Sequence, residues 1–259
     1  MAWLFDDADS EYLERSDTCG ITGYPFVLAA WVYPDAADNC GVLSFCGLST
    51  NYLHELRLRD PPDTDVIASS SEPIAKYAAT STSYVINTWN HVAALFVADD
   101  DRRVLLNNAG KGTNTSDSVS WAEVGAVKTQ VGRAKWSSPH DFSGLIADAA
   151  GWDLSDWPGA TAADKATEFE RLALPALAAR HSPRCFPLGL VAHWELLEES
   201  GSTAYDRVGH YDLTAYNGPT PGQDHPGGLL FPSAAVWVPA GAAAPPAGKT
   251  PWHLLQGAA

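Results

Sequence analysis

Two carboxylates held a few ångströms apart can cleave a glycosidic bond, one protonating the leaving oxygen while the other attacks or activates water. The nearest acidic groupings are Glu168/Glu170 and Glu195/Glu198/Glu199. The first pair falls in a stretch of helical spacing, and the second lacks the alternation that would set its members on one face of a strand. His54 and Glu55 are followed by Leu-Arg-Leu, so a two-histidine zinc-protease motif is incomplete. There is no Gly-x-Ser-x-Gly elbow, no phosphate-binding loop and no Gly-x-Gly-x-x-Gly turn. His91 stands in an apolar run without a partner motif and reads as a hydrogen-bonded core or interface imidazole. These omissions predict a protein that is not an enzyme.

Aromatic residues are the other source of chemistry. The chain holds ten Trp against a single Met, so rigid rings supply its core volume. A glycan site needs exposed rings beside hydrogen-bonding groups. Trp121, Trp136, Trp152 and Trp157 lie in or near loops and are the ligand-binding candidates.

The elements that would position such residues are mostly strands. Residues 87–96 begin as a polar turn and continue apolar on two faces, Trp89, Ala93 and Leu95 on one and Val92, Ala94 and Phe96 on the other. A strand apolar on both faces belongs inside a layered stack, with Trp89 its expected anchor between two sheets and Trp89→Ala costing ~3–5 kcal/mol. A second strand follows at Arg103, Val104, Leu105 and Leu106, closed by Asn107 and Asn108. The acidic run 99–101 between them reads as a solvated hairpin loop. Residues 52–59 alternate, which predicts one wet face. From Ala160 the character changes: residues 161–164 cap a run with Ala166, Phe169, Leu172 and Ala173 at helical spacing, ended by Pro175.

The strand pair at 87–108 resembles laminin-G-like, concanavalin-A-like jelly-roll domains, which carry T-W-H-H-V-A followed by L-Y-L-N-G. Other pieces stand in the expected order: residues 4–13 for F-D-G…D-Y-L, 26–34 for F-T-L-S-A-W-V-Y-P, 130–133 for an I-G strand, and 142–152 for F-x-G-x-I-D-E-V-R-I-W. The resemblance implies an all-β, concanavalin-A-like jelly-roll β-sandwich with one α-helix and an extended C-terminal arm. Its expected divisions are a sandwich over 1–159, a helix packing on it over 160–183, strands completing or flanking it over 184–231, and a Pro/Ala-rich arm over 232–259. The glucanase branch would require an acidic triplet Glu-x-Asp-x-x-Glu on one strand, and this chain has none. Relatives of this type often hold calcium, which takes six to eight oxygens. Asp6, Asp7 and Asp9 in the first turn, with Asp148 and Asp153 near the matching late strand, are the candidate donors. Calcium is the one cofactor that the resemblance implies.

Charge and composition narrow the partners. Sixteen Lys and Arg against 31 Asp and Glu give a net charge of −15, which opposes nucleic acid and anionic membrane surfaces. No apolar segment is long enough to span a bilayer, and acidic residues at positions 6–11 leave no secretory leader pattern. Cys19, Cys40, Cys46 and Cys185 read as buried thiols, with a Cys40–Cys46 disulfide the alternative in an oxidising compartment. Residues 160–231 are similar to phage-encoded versions of the fold, and the tail offers Trp237 and Trp252 as plugs for a neighbouring chain. The leading expectation is therefore a non-catalytic structural or display protein decorating a phage capsid or tail. It would be made in the host cytoplasm, placed in the virion, and partnered by particle proteins or by copies of itself. The alternative is an adhesin for cell-surface glycan, with or without calcium; a glycosidase ranks below both.

Overall fold

Short apolar-alternating runs, broken by Asp, Asn and Gly turns, form strands through most of the chain. The computed structural model describes them over residues 1–47, 52–71, 76–134 and 140–226. The first ten are β1 (Ala2–Phe5), β2 (Tyr12–Arg15), β3 (Phe26–Pro34), β4 (Cys40–Cys46), β5 (Tyr52–Leu58), β6 (Val66–Ser71), β7 (Tyr77–Ala79), β8 (Asn90–Phe96), β9 (Arg102–Leu106) and β10 (Ala109–Asn114). A one-turn helix α1 (Trp121–Val124) precedes β11 (Lys128–Val131), β12 (Arg133–Ala134), β13 (His140–Asp141) and β14 (Gly144–Asp153). Then come α2 (Ala162–Leu172), α3 (Leu174–Ala178), β15 (Leu190–Trp194), β16 (Thr203–Ala204), β17 (Leu213–Tyr216) and β18 (Thr220–Gln223).

Apart from β12 and β13, which pair with each other, the strands pair antiparallel into two facing sheets. One, the helix-side sheet, runs β10-β9-β8-β3-β14-β1-β18, with β15 also on β14. The other, the polar-faced sheet, runs β16-β17-β2-β11-β4-β5-β6-β7. The 99–101 run is the loop of the β8–β9 hairpin. Asn107 and Asn108 both take positive φ, 51° and 56°, as a tight β9–β10 turn requires. Strands from the last third enter both sheets: β15 pairs with β14, β18 with β1, and β17 with β2.

Between the sheets lies the main core, where Phe26, Phe45, Phe96, Val92, Ala94, Leu56 and Leu13 meet. The opposite face of β8 is covered by helices rather than by another sheet. Ala93 and Leu95 join Val27, Ala29 and Trp152 beneath Ala166, Phe169, Leu174 and Leu177. Thr161 caps α2 reciprocally: its Oγ1 accepts the Asp164 N–H at 3.2 Å, and Asp164 Oδ2 accepts the Thr161 N–H at 3.0 Å. That cap starts the helix where Phe169 meets Trp152 and Trp157 edge-on, at 5.2 and 4.8 Å between centroids.

Trp89 is not the anchor between sheets. It sits half-buried on the outer face of the helix-side sheet, against Trp31, Ala2 and Leu145, edge-on to Tyr33 at 5.7 Å. Strand alternation had grouped Trp89 correctly with Ala93 and Leu95; that side of the strand faces away from the second sheet. Between the sheets that place belongs to Val92 and Phe96, while Trp152, fully buried on the helix-covered face, donates Nε1–H to the Phe186 carbonyl at 3.0 Å. All four cysteines are buried free thiols, and burial pushes Cys19 and Cys46 up to about 12.

Candidate functional site

The outer side of the polar-faced sheet is where side chains with chemistry collect. Leu13, Leu43, Val131, Leu56 and Ala68 turn inward, so their strand neighbours turn outward. Register then lines these neighbours up across five strands. Glu14 is opposite Gln130, Gln130 opposite Ser44, Ser44 opposite Glu55, and Glu55 opposite Ser69. This row is buried, the reverse of the wet face expected for residues 52–59: Ser44, Glu55, Arg57 and Ser69 are 0 % exposed. Beyond Gly132 the chain crosses this face, so that Ala134 packs on Cys46 and Leu53 and the Arg133 carbonyl accepts the Ser44 hydroxyl at 3.0 Å.

Buried charges need partners, and the row supplies them. Glu14 accepts from Lys128 Nζ at 2.6 Å and from Gln130 Nε2 at 2.9 Å. Glu55 accepts from Arg57 Nη1 at 3.3 Å, while Arg57 Nε donates to Asn39 Oδ1 at 2.6 Å. Glu14 and Glu55 are three strand spacings apart, roughly 14 Å at ~4.8 Å each. Paired catalytic carboxylates stand about 5–9.5 Å apart, so these two cannot serve as such a pair.

At the β17–β2 edge the row opens to solvent. Tyr216 is opposite Tyr12 in register, and their rings stack at 4.9 Å with 7° between planes. The Arg133 guanidinium lies 3.8 Å from the Tyr12 centroid. Asp141 holds that guanidinium through Nε–H···Oδ1 at 2.5 Å and Nη2–H···Oδ2 at 3.0 Å, and Nη2 also donates to the Ser10 carbonyl at 3.2 Å. Gly132 makes the crossing possible: its φ is +79°, and a Cβ there would come within 2.6 Å of the Phe5 ring. Asn217, at φ 62°, turns the chain after Tyr216 and ties it to the Ser10 carbonyl at 2.8 Å. The stack is thus fixed from both sides, while Tyr216 keeps 41 % of its surface exposed. Burial, then the neighbouring Glu14, raises the Tyr12 phenol.

A model of the concanavalin A-like lectin/glucanases superfamily matches residues 7–155. The chain belongs to this superfamily. Among solved structures it is similar to a heptameric pentraxin from Limulus polyphemus, with 15 % identity and a TM-score of 0.59 over 87 % of this chain and 95 % of that one. It is also similar to a Bacteroides ovatus protein assigned to carbohydrate binding, with 16 % identity and a TM-score of 0.56 over 85 % of this chain. The match spans 58 % of the Bacteroides protein's length. At these identities the likeness is one of fold. No curated protein sequence matches.

Against the lectin-type sandwich, the tryptophan candidates divide. Trp152 and Trp157 are buried beneath α2, Trp157 donating Nε1–H to the Leu188 carbonyl at 2.7 Å. Neither can meet a ligand, because the helix that follows the family match covers both. Trp121 is half-buried at one end of the sandwich, stacked on His54 at 5.5 Å. His54 joins an interior relay: its Nδ1 is 3.1 Å from Ser70 Oγ, its Nε2 3.0 Å from Tyr24 Oη, and Tyr24 donates to the Val119 carbonyl at 2.6 Å. Because the Tyr24 proton is committed to Val119, Nε2 of His54 is the donor to Tyr24 and Nδ1 accepts from Ser70. Burial, then the nearby Arg102 charge, brings His54 down to about 3, so it is neutral. Trp136, Trp237 and Trp252, with the whole 232–259 arm, lie outside the described residues.

The aspartates proposed for calcium are not gathered. Asp6, Asp7 and Asp9 follow β1, and Asp6 Oδ1 caps the Ala8 N–H at 2.9 Å. Asp148 lies further along β14, past Trp3↔Ile146, and Asp153 at its far end, bound to the Ser155 N–H at 2.8 Å. Among the described residues no group of three His, Cys, Asp or Glu side chains is arranged to hold a metal ion. Asp148 instead occupies the bulge where β14 passes from β1 to β15, at φ 49°, and takes two imidazoles: His193 Nε2 at 3.3 Å and His225 Nε2 at 2.8 Å. His91 is buried edge-on to Trp31 at 5.4 Å, and burial brings it down to about 4. Sequence reasoning missed the tyrosine stack altogether: Tyr12 and Tyr216 are brought together by the return of β17 onto β2. No described helix is long and apolar enough to cross a membrane.

Proposed function

We propose that this chain is a non-catalytic carbohydrate-binding module that holds a glycan against the Tyr216–Tyr12–Arg133 stack. The observation that carries the reading is a rigid aromatic ring, backed by a second ring and a guanidinium, presented with 41 % of its surface to solvent. Aromatic rings fixed in this way are what the apolar face of a sugar packs on, and backing reduces the entropy lost on binding. Superfamily membership and the likeness to the Bacteroides ovatus protein agree with it. The wide separation of Glu14 and Glu55 supports the non-catalytic part. Among the described residues the scattered aspartates offer calcium no site.

Display on a phage particle was expected from the missing leader pattern, the acidic charge, the likeness of residues 160–231 to phage-encoded versions and an arm that lies outside the described residues; glycan binding is the reading with a described surface to support it. The two are compatible, a decorating protein being able to bind a cell-surface glycan. The test is a glycan array probed with the full chain and with Tyr216→Ala. Binding by the parent that falls at least tenfold in the variant is the expected result. An array without hits, or binding indifferent to Tyr216, overturns the proposal.

A further inference from the structure

The charges around the stack say which class of glycan it can take, an inference that rests on the reading just given. Proteins that recognise carboxylated or sulfated ligands do so with cations free to form charge-assisted hydrogen bonds. Among the described residues, each cation beside the stack is held by a carboxylate. Arg133 is gripped by both oxygens of Asp141. Lys128 is bound to Glu14 at 2.6 Å. Glu11, on the same rim beside Gly218, adds a further carboxylate, and the chain as a whole carries −15.

We propose that the ligand is a neutral glycan, whose sugar ring lies on Tyr216, and that the site turns away uronic-acid, sialylated and sulfated chains. An acidic sugar would have to displace Asp141 or Glu14 from its cation and approach through a negative field. A neutral ring loses nothing to either. The guanidinium serves as a backing plate for Tyr12, its charge already answered by Asp141.

The experiment is an array bearing neutral, uronic, sialylated and sulfated glycans, read at about 0.05 and about 0.5 M NaCl, since salt screens only charge-driven binding. Neutral hits, unchanged by salt and lost in Tyr216→Ala, are expected. Acidic hits that weaken with salt and are still lost in Tyr216→Ala overturn this inference while leaving the binding site in place. Hits insensitive to Tyr216, or none, overturn the site itself and the inference with it. A second variant tests the charge argument directly. Asp141→Asn releases Arg133 and should gain salt-sensitive binding to acidic glycans, by tenfold or more. An Asp141→Asn protein with parental melting and no such gain refutes it.

Discussion

The two outer faces of this sandwich are built from strands of similar length and solve opposite problems. On the helix-side sheet the face is apolar, from Val27, Ala29, Leu95 and Trp152, and α2 and α3 are laid over it. On the other sheet the face is a row of Glu, Gln, Ser and Arg, crossed among the described residues by the chain beyond Gly132. An apolar face of that size left in water would invite association, so it must be covered, and covering it removes Trp152 and Trp157 from any ligand. A polar face can afford to stay partly open at its edge. The lesson is that ring count is a poor guide to binding: the tryptophans hold the fold, and two tyrosines beside a polar row hold the accessible surface.

The contrast is most directly broken on the helix side. Trp152→Ala should cost ~3–5 kcal/mol, the range for truncating a fully buried aromatic, read as a lower denaturant midpoint. A loss under ~1 kcal/mol would mean that the helices do not depend on the rings beneath them. On the polar face Arg57→Ala should cost a comparable ~3–5 kcal/mol, because it takes a charged partner from the buried Glu55 carboxylate. Replacing Glu55 and Arg57 together by Leu should recover part of that loss, since their ion pair is then removed whole rather than broken on one side. If the double variant is as unstable as the single, the row matters for more than mutual compensation.

Acid should distinguish the regions next. His54 and His91 are held neutral by burial, near about 3 and about 4, whereas an unfolded histidine titrates at ~6.5. The unfolded chain therefore takes up protons that the folded chain refuses, and stability falls as pH drops below ~6.5, by on the order of 2 kcal/mol per histidine at pH ~5. Burial opposes ionisation of Asp148, yet hydrogen bonds from His193 and His225 hold its carboxyl below the usual range. Its contribution is thus also lost as pH falls through that lowered value. Melting temperature should be flat between pH ~7 and ~8 and decline towards pH ~5, with a shallower slope in His91→Phe; equal slopes would locate the effect elsewhere. The smallest stability effect belongs to Tyr216→Ala, within ~0.5 kcal/mol as for an exposed side chain, although it should abolish glycan binding. A larger loss of stability would show that the stack holds the β17 edge in place.

Much of the architecture was legible locally. Residues 87–96 announce a strand buried on both faces because alternation is a property of the strand itself, and β8 is buried throughout. Asn107 and Asn108 announce a turn, and Thr161 with Asp164 announces a helix start, because each signal is complete within a few residues. Which face met the second sheet was not legible, so Trp89 was assigned the place that belongs to its neighbours Val92 and Phe96. The wet face expected at Glu55 and Arg57 failed for a related reason: what crosses a strand comes from elsewhere in the chain, here from beyond Gly132.

By itself, then, the order of residues determined the strands, their turns and the capped helix, all of which rest on contacts between near neighbours or on periodicity, and the resemblance of its motifs pointed to the family. Only the folded chain decided which rings could meet a ligand. Tyr12 and Tyr216 lie on strands with most of the sequence between them, and Glu14, Gln130, Ser44, Glu55 and Ser69 come from five different strands. A cross-strand row is a product of register, and register is set by packing of the whole sandwich.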